Sequence, residues 1–282
     1  NFQFTKHDTS KITSSLNNSG IPFIEVGHGW GLGSSRIREL KAFETDISYI
    51  LAAKSVNPKA KIGCFFIPGV GNKEDLKLAI DADVDFIRIG TEVDEYKNTF
   101  KYLKFLKSKN IFTCINLMKT YSKSPNEVSK VIKKIEKWKL ADVVYIVDSA
   151  GCMTPNDVQN YFEKINVNEL KLGFHGHNNL GLAVANSLKA VECGAEFLDC
   201  SIRGMGRSAG NAQTEILVHL LNSTNSIDYI SPFNLMEIGE KFIKNLLYSD
   251  KGVSSLDVST GMSKLHSNYL PIFRKIASDS DV

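Results

Sequence analysis

Two histidines separated by a single glycine lie in the segment GFHGHNN, residues 173–179. In a β-strand, alternate side chains point to the same side and their Cα atoms lie about 6–7 Å apart. His175 and His177 could therefore both reach one divalent cation at about 2.0–2.2 Å. The spacing alone leaves two interpretations open, a metal site and a pair of hydrogen-bonded core histidines. A metal site would also need a carboxylate to balance charge and open positions for water or substrate.

Polar side chains also stand where other predicted strands end. The residues concerned are Glu25, His28, Asp148, Ser149, His175, His177 and Asn211. The starts of the same strands carry fewer titratable residues. Because the carboxyl ends of parallel strands meet at one edge of a sheet, where α/β enzymes have their active sites, this asymmetry predicts a catalytic rim.

Seven short runs rich in Val, Ile, Phe and Cys predict the strands that carry these residues. They begin about 24–39 residues apart, which is the length of a strand, a crossover helix and two loops. The runs are PFIEVG, KIGCFFIPG, DFIRIG, IFTCINLM, DVVYIVDS, KLGFHGH and EFLDCSIRG. Between them, Asp8, Asn72 and Thr154 precede segments with helical periodicity and predict helix starts.

Two architectures fit this alternation, an open doubly wound sheet and a closed (β/α)8 barrel. An open sheet that binds a dinucleotide would carry a GxGxxG turn after its first strand. The early segment GHGWGLGSS does not fit that pattern, and GMGRSA at residues 204–209 fits GxGxxA but follows the last strand. The sequence therefore favours a (β/α)8 TIM barrel.

The composition is that of a globular protein with a large core. Of its 282 residues 43% are hydrophobic, and the net charge of +3 is too small to predict a nucleic-acid partner. No apolar run reaches the roughly 18 residues of a membrane helix, and no leader pattern opens the chain. Five cysteines without CxxC spacing favour reduced thiols. We expect a cytoplasmic protein without nucleic-acid or membrane partners.

The segment HGHNNLGLAVANSLKAVECGAEFLDCSIRGMGRSAGNAQTE resembles the signature of the DRE-TIM metallolyase superfamily, in which HxH supplies two metal ligands and a GxGxxAGN turn closes the eighth strand. The segments FIEVGHGWGLGSS, FIPGVG and VDSAGCMTPNDV extend the similarity over nearly the whole chain, and they resemble the 4-hydroxy-2-oxoacid aldolases most. Synthases of the superfamily usually have HNDLG where this chain has HNNLG. The asparagine at position 179 therefore favours the aldolase branch.

The resemblance implies a divalent cation, Mn²⁺ before Mg²⁺, Zn²⁺ or Co²⁺, held by His175, His177 and a carboxylate. Family members open with a strand ending in Arg-Asp-Gly, whose aspartate is the third ligand, and this chain begins just after the matching point. We therefore expect the third ligand upstream of Asn1. The expected fold is a TIM barrel over residues 1–224, with its first strand missing from this chain, and a truncated C-terminal helical extension over residues 225–282.

We infer roles for the other rim residues from the family resemblance together with the chemistry of each side chain. Glu25 and His28 are the expected catalytic residues, because either could relay a proton. The expected substrate-binding residues are Arg88, Asp148, Ser149 and Asn211. Arg88 and Glu92 could instead form a structural ion pair across the rim.

Each of the other roles also has a structural alternative. Glu25 could form a salt bridge inside the barrel, and His28 could cap a glycine turn. Ser149 could do no more than start the next helix, and Asn211 could be the N-cap at NAQTE. These alternatives remain open at the level of sequence.

The C-terminal segment departs from the family pattern. Aldolases of this branch carry a tyrosine in a helical segment beyond the barrel, followed by a small domain that contacts an aldehyde dehydrogenase. Here GMSKLHSNYLPIFRKI has His266 or Met262 at the tyrosine's position, with Tyr269 nearby. The resemblance implies an aldehyde dehydrogenase partner, and we also expect a homo-oligomer.

The preceding segment SPFNLMEIGEKFIKNLLYSD has apolar residues at helical spacing and predicts an extra helix that faces the core.

Three functions remain open. The first is a metal-dependent aldolase that cleaves or forms a 4-hydroxy-2-oxoacid, with pyruvate and an aldehyde as the other side of the reaction. The second is a Claisen-type acyl-CoA synthase or lyase of the same superfamily, which would release a thiol from an acyl-CoA. The third is a non-catalytic barrel that serves as a binding or assembly subunit.

Overall fold

The computed structural model describes residues 3–37, 41–246 and 253–272. It confirms the seven predicted strands, which form one parallel sheet in chain order. The strands are β1 (Phe23–Glu25), β2 (Lys61–Phe66), β3 (Phe86–Glu92), β4 (Phe112–Met118), β5 (Val143–Asp148), β6 (Lys171–Gly176) and β7 (Phe197–Asp199).

The sheet curls so that its first and last strands face each other. The ring centroid of Phe23 in β1 lies 5.5 Å from that of Phe197 in β7, and both rings also contact Phe112. Within the described residues, no backbone ladder joins β1 to β7. A seven-stranded parallel sheet with this curl agrees with the predicted TIM-barrel class.

Helices alternate with the strands and continue after the last one. They are α1 (Lys6–Asn18), α2 (Ser34–Ile37), α3 (Asp46–Lys54), α4 (Lys73–Asp81), α5 (Phe100–Lys107), α6 (Pro125–Trp138), α7 (Pro155–Lys164), α8 (Ala183–Glu192), α9 (Thr214–Ser223), α10 (Pro232–Ile238) and α11 (Ser255–Met262). None of these helices is both long enough and apolar enough to cross a membrane within the described ranges.

Two of the three predicted helix starts are confirmed. Asn72 and Thr154 are the N-caps of α4 and α7, and each accepts the N–H of the third helical residue. The prediction at Asp8 was wrong by three residues, because Thr5 is the N-cap of α1. The Asp8 carboxylate accepts the Thr5 N–H at 2.9 Å and so completes a capping box from inside the helix.

Strand alternation separates two cores. On β3, Ile87 and Ile89 are fully buried under the helices, in the largest apolar cluster. The intervening residue, Arg88, points into the barrel and lies between the rings of Phe65 and Tyr145. Burying each large aliphatic side chain of the outer core contributes about 1.5–3 kcal/mol, so this layer holds the sheet in its curl.

The C-terminal helices pack in two places. Leu235 and Ile238 of α10 are buried in a separate cluster with Ile202 and Val218, as the apolar pattern of this segment predicted. Helix α11 lies on the carboxyl edge of the sheet, where a Cβ on Gly261 would come within 3.0 Å of Leu180. The C-terminal segment therefore forms part of the rim.

Candidate metal and substrate site

The two histidines of GFHGHNN lie side by side at the end of β6. Their ring centroids are 5.1 Å apart, with the ring planes at 74°. Burial, followed by the positive charges of Arg207 and His266, lowers the pKa of His177 to about 3. Burial also lowers the pKa of His175, with smaller contributions from His177 and Arg88. Both rings are therefore neutral at pH 7, which is the form that binds metals.

The surroundings of the two rings differ. His175 Nδ1 lies 3.1 Å from Asp199 Oδ2. The backbone at Arg207 and Gly210 partly offsets the fall in the pKa of His177. Metal-binding histidines typically donate one ring N–H to a carboxylate or a backbone carbonyl and bind the metal through the other nitrogen. The contact between His175 and Asp199 fits that pattern.

Asn211 brings a third potential ligand to the pair. A backbone bridge joins Asn211 to His177, and Asn211 Nδ2 donates to the Met205 carbonyl at 3.1 Å. Asn211 Oδ1 is buried and has no hydrogen-bond partner among the described residues. A Cβ on Gly206 would come within 2.9 Å of this amide, so the glycine turn fits closely around it. A buried carbonyl oxygen without a partner calls for an explanation, and a divalent cation would supply one.

The donors fit a divalent cation but do not by themselves complete its coordination. Within the described residues, no group of three or more His, Cys, Asp or Glu side chains converges on a metal position. Two neutral imidazoles and an amide oxygen suit Mn²⁺, Co²⁺ or Zn²⁺ and select none of them. The site therefore fits the class of metal predicted from the sequence.

We expect Asp199→Asn to weaken Mn²⁺ binding about 10- to 100-fold, because the change removes the carboxylate that fixes the His175 ring. Titration of the metal-free protein with Mn²⁺, followed by electron paramagnetic resonance, measures the affinity. Asp83→Asn is the matched control, since Asp83 pairs with Lys54 and its side chain is 86% exposed. Equal affinities of the two variants would contradict the role given to Asp199.

Arg88 connects the two open edges of the sheet inside the barrel. Its guanidinium contacts both carboxylate oxygens of Glu25, with Nη2–Oε1 at 2.9 Å, and it also contacts Asp199. Glu92 does not pair with Arg88 and instead contacts Lys119. Glu25 therefore forms the salt bridge inside the barrel that the sequence offered as an alternative. Its predicted role in catalysis, and that of Arg88 in substrate binding, stay predictions.

The other predicted rim residues shape the loops. His28 is buried, and its Nδ1 accepts the Trp30 N–H at 3.0 Å. This contact is the one expected if His28 caps the glycine turn. The Ser149 hydroxyl accepts the Lys119 N–H at 2.9 Å. Their predicted roles, proton transfer for His28 and substrate binding for Ser149, are not excluded by these contacts and stay predictions.

Asp148 is fully buried at the end of β5. Its carboxylate accepts the N–H groups of Cys152 and Met153 at 3.0 and 2.9 Å. Burial raises the pKa of Asp148, and these hydrogen bonds oppose the rise. The carboxylate therefore organises the loop between β5 and α7, and its predicted contact with substrate stays a prediction.

The contacts of three rim residues were not predicted from the sequence. Asp199 was detectable, because it alternates with Phe197 on a predicted strand and so faces inward. Arg207 and Asn179 lie in motifs that the sequence analysis recognised, but their partners are distant along the chain. The Asn179 amide donates to Thr260 of α11 at 3.1 Å, across 81 residues of chain, and pins the C-terminal segment to the rim.

The curled parallel sheet and the polar rim at its carboxyl edge define an α/β-barrel enzyme. The chain belongs to the HMGL-like family, whose model matches residues 1–241. This family is dependent on a divalent metal.

Individual relatives agree with this family. The chain is 35% identical over 269 residues to a 4-hydroxy-2-oxovalerate aldolase of Geobacillus genomosp. 3, covering 95% of this chain and 80% of the relative. A 4-hydroxy-2-oxovalerate aldolase of Carboxydothermus hydrogenoformans is 34% identical with the same coverage. The N-terminal domain of a Bacteroides vulgatus protein described as an aldolase superposes with a TM-score of 0.84 at 25% identity, covering 99% of this chain and 93% of that domain. The chain is a carbon–carbon lyase of the aldolase type.

Proposed function

We propose that this protein cleaves and forms a 4-hydroxy-2-oxoacid, with pyruvate and an aldehyde as the other side of the reaction, and that Mn²⁺ is its preferred cofactor. One observation carries the proposal. Two neutral imidazoles and the unpartnered oxygen of Asn211 lie together at the rim of an aldolase-family barrel. The names of the relatives supply the substrate class.

In cleavage, the C3–C4 bond breaks, the C4 hydroxyl loses its proton, and an aldehyde leaves pyruvate as its enolate. A bound divalent cation supplies Lewis-acid stabilisation of the negative charge on the enolate oxygen, worth several kcal/mol. His175, His177 and Asn211 would hold this cation. Ser149 uses its oxygen to accept the Lys119 N–H, and among the described residues its own O–H has no protein acceptor. That O–H suits the substrate carboxylate.

Glu25 and His28 are the two candidates for the base that takes the C4 hydroxyl proton. Both oxygens of Glu25 already accept hydrogen bonds from Arg88, which reduces their availability. Histidine is the side chain that most often transfers protons in enzymes. We therefore favour His28 as the proton carrier, with its Nδ1 taking the proton in place of the Trp30 N–H that it accepts, and Glu25 as the residue that positions Arg88.

The predicted third ligand, a carboxylate upstream of Asn1, is retained as a proposal. A carboxylate would balance the charge of a cation held by two neutral rings and an amide. A homo-oligomer and an aldehyde dehydrogenase partner are likewise proposals drawn from the family resemblance. A cytoplasmic location is supported by five free thiols, of which Cys64 and Cys114 are buried.

The test is pyruvate release from 4-hydroxy-2-oxovalerate by the full-length protein, with and without a chelator and with Mn²⁺ added back. We expect turnover that the chelator abolishes and Mn²⁺ restores. Turnover that is unchanged in chelator would contradict the metal assignment. Thiol release from an acyl-CoA, without pyruvate release from the oxoacid, would favour the Claisen-type alternative.

A further inference from the structure

Asn116 is a polar residue in the middle of the apolar strand β4. Its neighbours along the chain, Ile115 and Leu117, lie in the outer core under the helices. Cys114 lies instead in the apolar cluster inside the barrel, together with residues of β5. Because side chains alternate along a strand, Asn116 points into the barrel on the same side as Cys114.

Four charged or aromatic side chains form one layer inside the barrel, next to Asn116. Arg88 of β3 contacts the other three, which are Glu25 of β1, Tyr145 of β5 and Asp199 of β7. On one side Asn116 pairs in register with Tyr145, and on the other side it pairs with Gly90, two residues beyond Arg88. Asn116 therefore lies one residue nearer to the carboxyl edge of the sheet than this layer.

His175 occupies the equivalent position on β6. It pairs in register with Asp199 of the same layer and with Val147, two residues beyond Tyr145. Inside a TIM barrel, each layer takes its side chains from alternate strands, so Asn116 of β4 and His175 of β6 belong to one layer. The amide of Asn116 thus lies inside the barrel at the level of a candidate metal ligand.

This amide is buried without a hydrogen bond at its oxygen. Asn116 is 3% exposed, and its Oδ1 has no hydrogen-bond partner among the described residues. A buried acceptor costs free energy unless a donor replaces the water that it has lost. Because the acceptor is at the level of the candidate metal site, a substrate bound there is a source of that donor.

The chemistry of the substrate narrows the choice of donor to one group. In a 4-hydroxy-2-oxoacid the carboxylate and the keto oxygen only accept hydrogen bonds, and the C4 hydroxyl is the single donor. When the C3–C4 bond breaks, this hydroxyl becomes the carbonyl of the aldehyde, which only accepts. An amide has both an acceptor and N–H donors, so it can pair with the C4 oxygen before and after cleavage.

We propose that Asn116 binds the C4 oxygen of the substrate and so selects oxoacids that carry a hydroxyl group at C4. The inference rests on the proposed function and assigns it a specificity-determining residue. Asn116 takes no proton: the hydroxyl proton goes to the base, and the electron pair of the C3–C4 bond goes to the enolate. The amide N–H then donates to the aldehyde oxygen that forms.

The test compares 4-hydroxy-2-oxovalerate, as substrate, with 2-oxovalerate, which lacks the hydroxyl and is tested as a competitive inhibitor. In Asn116→Leu we expect kcat/KM for the substrate to fall about 10- to 100-fold, because the hydroxyl is left without a partner. The inhibition constant of 2-oxovalerate and the Mn²⁺ affinity should stay within about 3-fold of those of the unmodified protein, a difference below 1 kcal/mol.

Asn222→Leu is the matched control. The Asn222 Oδ1 is likewise buried without a hydrogen-bond partner among the described residues, but it lies on helix α9 outside the barrel. This variant should leave kcat/KM and the inhibition constant unchanged. If Asn116→Leu does not fold, Asn116→Val introduces a residue suited to a strand, and the proposal requires the same selective fall in kcat/KM.

Other outcomes overturn the proposal. An equal loss of affinity for both compounds would assign Asn116 to the 2-oxoacid end that they share. A large fall in Mn²⁺ affinity would make Asn116 a metal ligand instead. Unchanged values for both compounds would show that the amide binds water rather than substrate. Failure of the unmodified protein to cleave the oxoacid with metal present would contradict the proposed function, whereas normal cleavage with an unselective Asn116→Leu contradicts the role of Asn116 alone.

Discussion

Replacing His177 with alanine is expected to lower kcat for pyruvate release by about 1000-fold and to remove tight Mn²⁺ binding. The ring is 7% exposed and neutral, and it lies beside the His175 ring with the two centroids 5.1 Å apart. Losing a metal ligand removes Lewis-acid stabilisation worth several kcal/mol, and about 1.4 kcal/mol corresponds to each factor of ten in rate. The measurements are steady-state kinetics and Mn²⁺ titration, and His175→Ala should behave in the same way.

His219→Ala is the matched control, because His219 is exposed on helix α9 and far along the chain from the HxH motif. It should retain the kcat and the metal affinity of the unmodified protein. A His177→Ala variant that keeps more than about a tenth of the activity, and keeps it in chelator, would show that the two rings hold no catalytic metal.

The fold could be predicted from the sequence, because helices cover both faces of a parallel sheet and its strands are therefore apolar on both faces. All six residues of β5, Val143–Asp148, are buried, and the apolar run DVVYIVDS is recognisable as a strand from the sequence alone. Helix starts at Asn72 and Thr154 were equally local signals. The start at Asp8 was misplaced because a capping box has two polar residues three positions apart, and Thr5 is the one that lies outside the helix.

The candidate site could be predicted from the sequence where the interacting residues are close along the chain. The HxH spacing predicts two rings on one face, and the structure has those rings 5.1 Å apart. The partners of Arg88 were not predictable in this way, since Glu25 is 63 residues distant and Asp199 is 111 residues distant. The near neighbour Glu92 was the plausible partner from sequence, yet it contacts Lys119. Register across several strands, rather than spacing within one, decides these pairs.

Arg88→Met is expected to lower the free energy of unfolding by about 3 kcal/mol, because it leaves the carboxylates of Glu25 and Asp199 in the barrel without their shared cation. The Arg88 side chain is 12% exposed, and those of Glu25 and Asp199 are 31% and 17% exposed. The two carboxylates would then repel each other in a poorly solvated space. Urea denaturation at neutral pH measures the change in unfolding free energy.

Two further variants separate the loss of the ion pairs from the loss of packing. Lys139→Met is the control, because Lys139 pairs with Glu169 through side chains that are 72% and 68% exposed, and an exposed pair contributes about 1 kcal/mol or less. Adding Glu25→Gln and Asp199→Asn to Arg88→Met removes the uncompensated charge and should recover part of the stability. If Arg88→Met is no more destabilising than Lys139→Met, the interior ion-pair network does not hold the two edges of the sheet together. If it is more destabilising and the neutral triple variant recovers, the same network that orients His175 through Asp199 also stabilises the barrel.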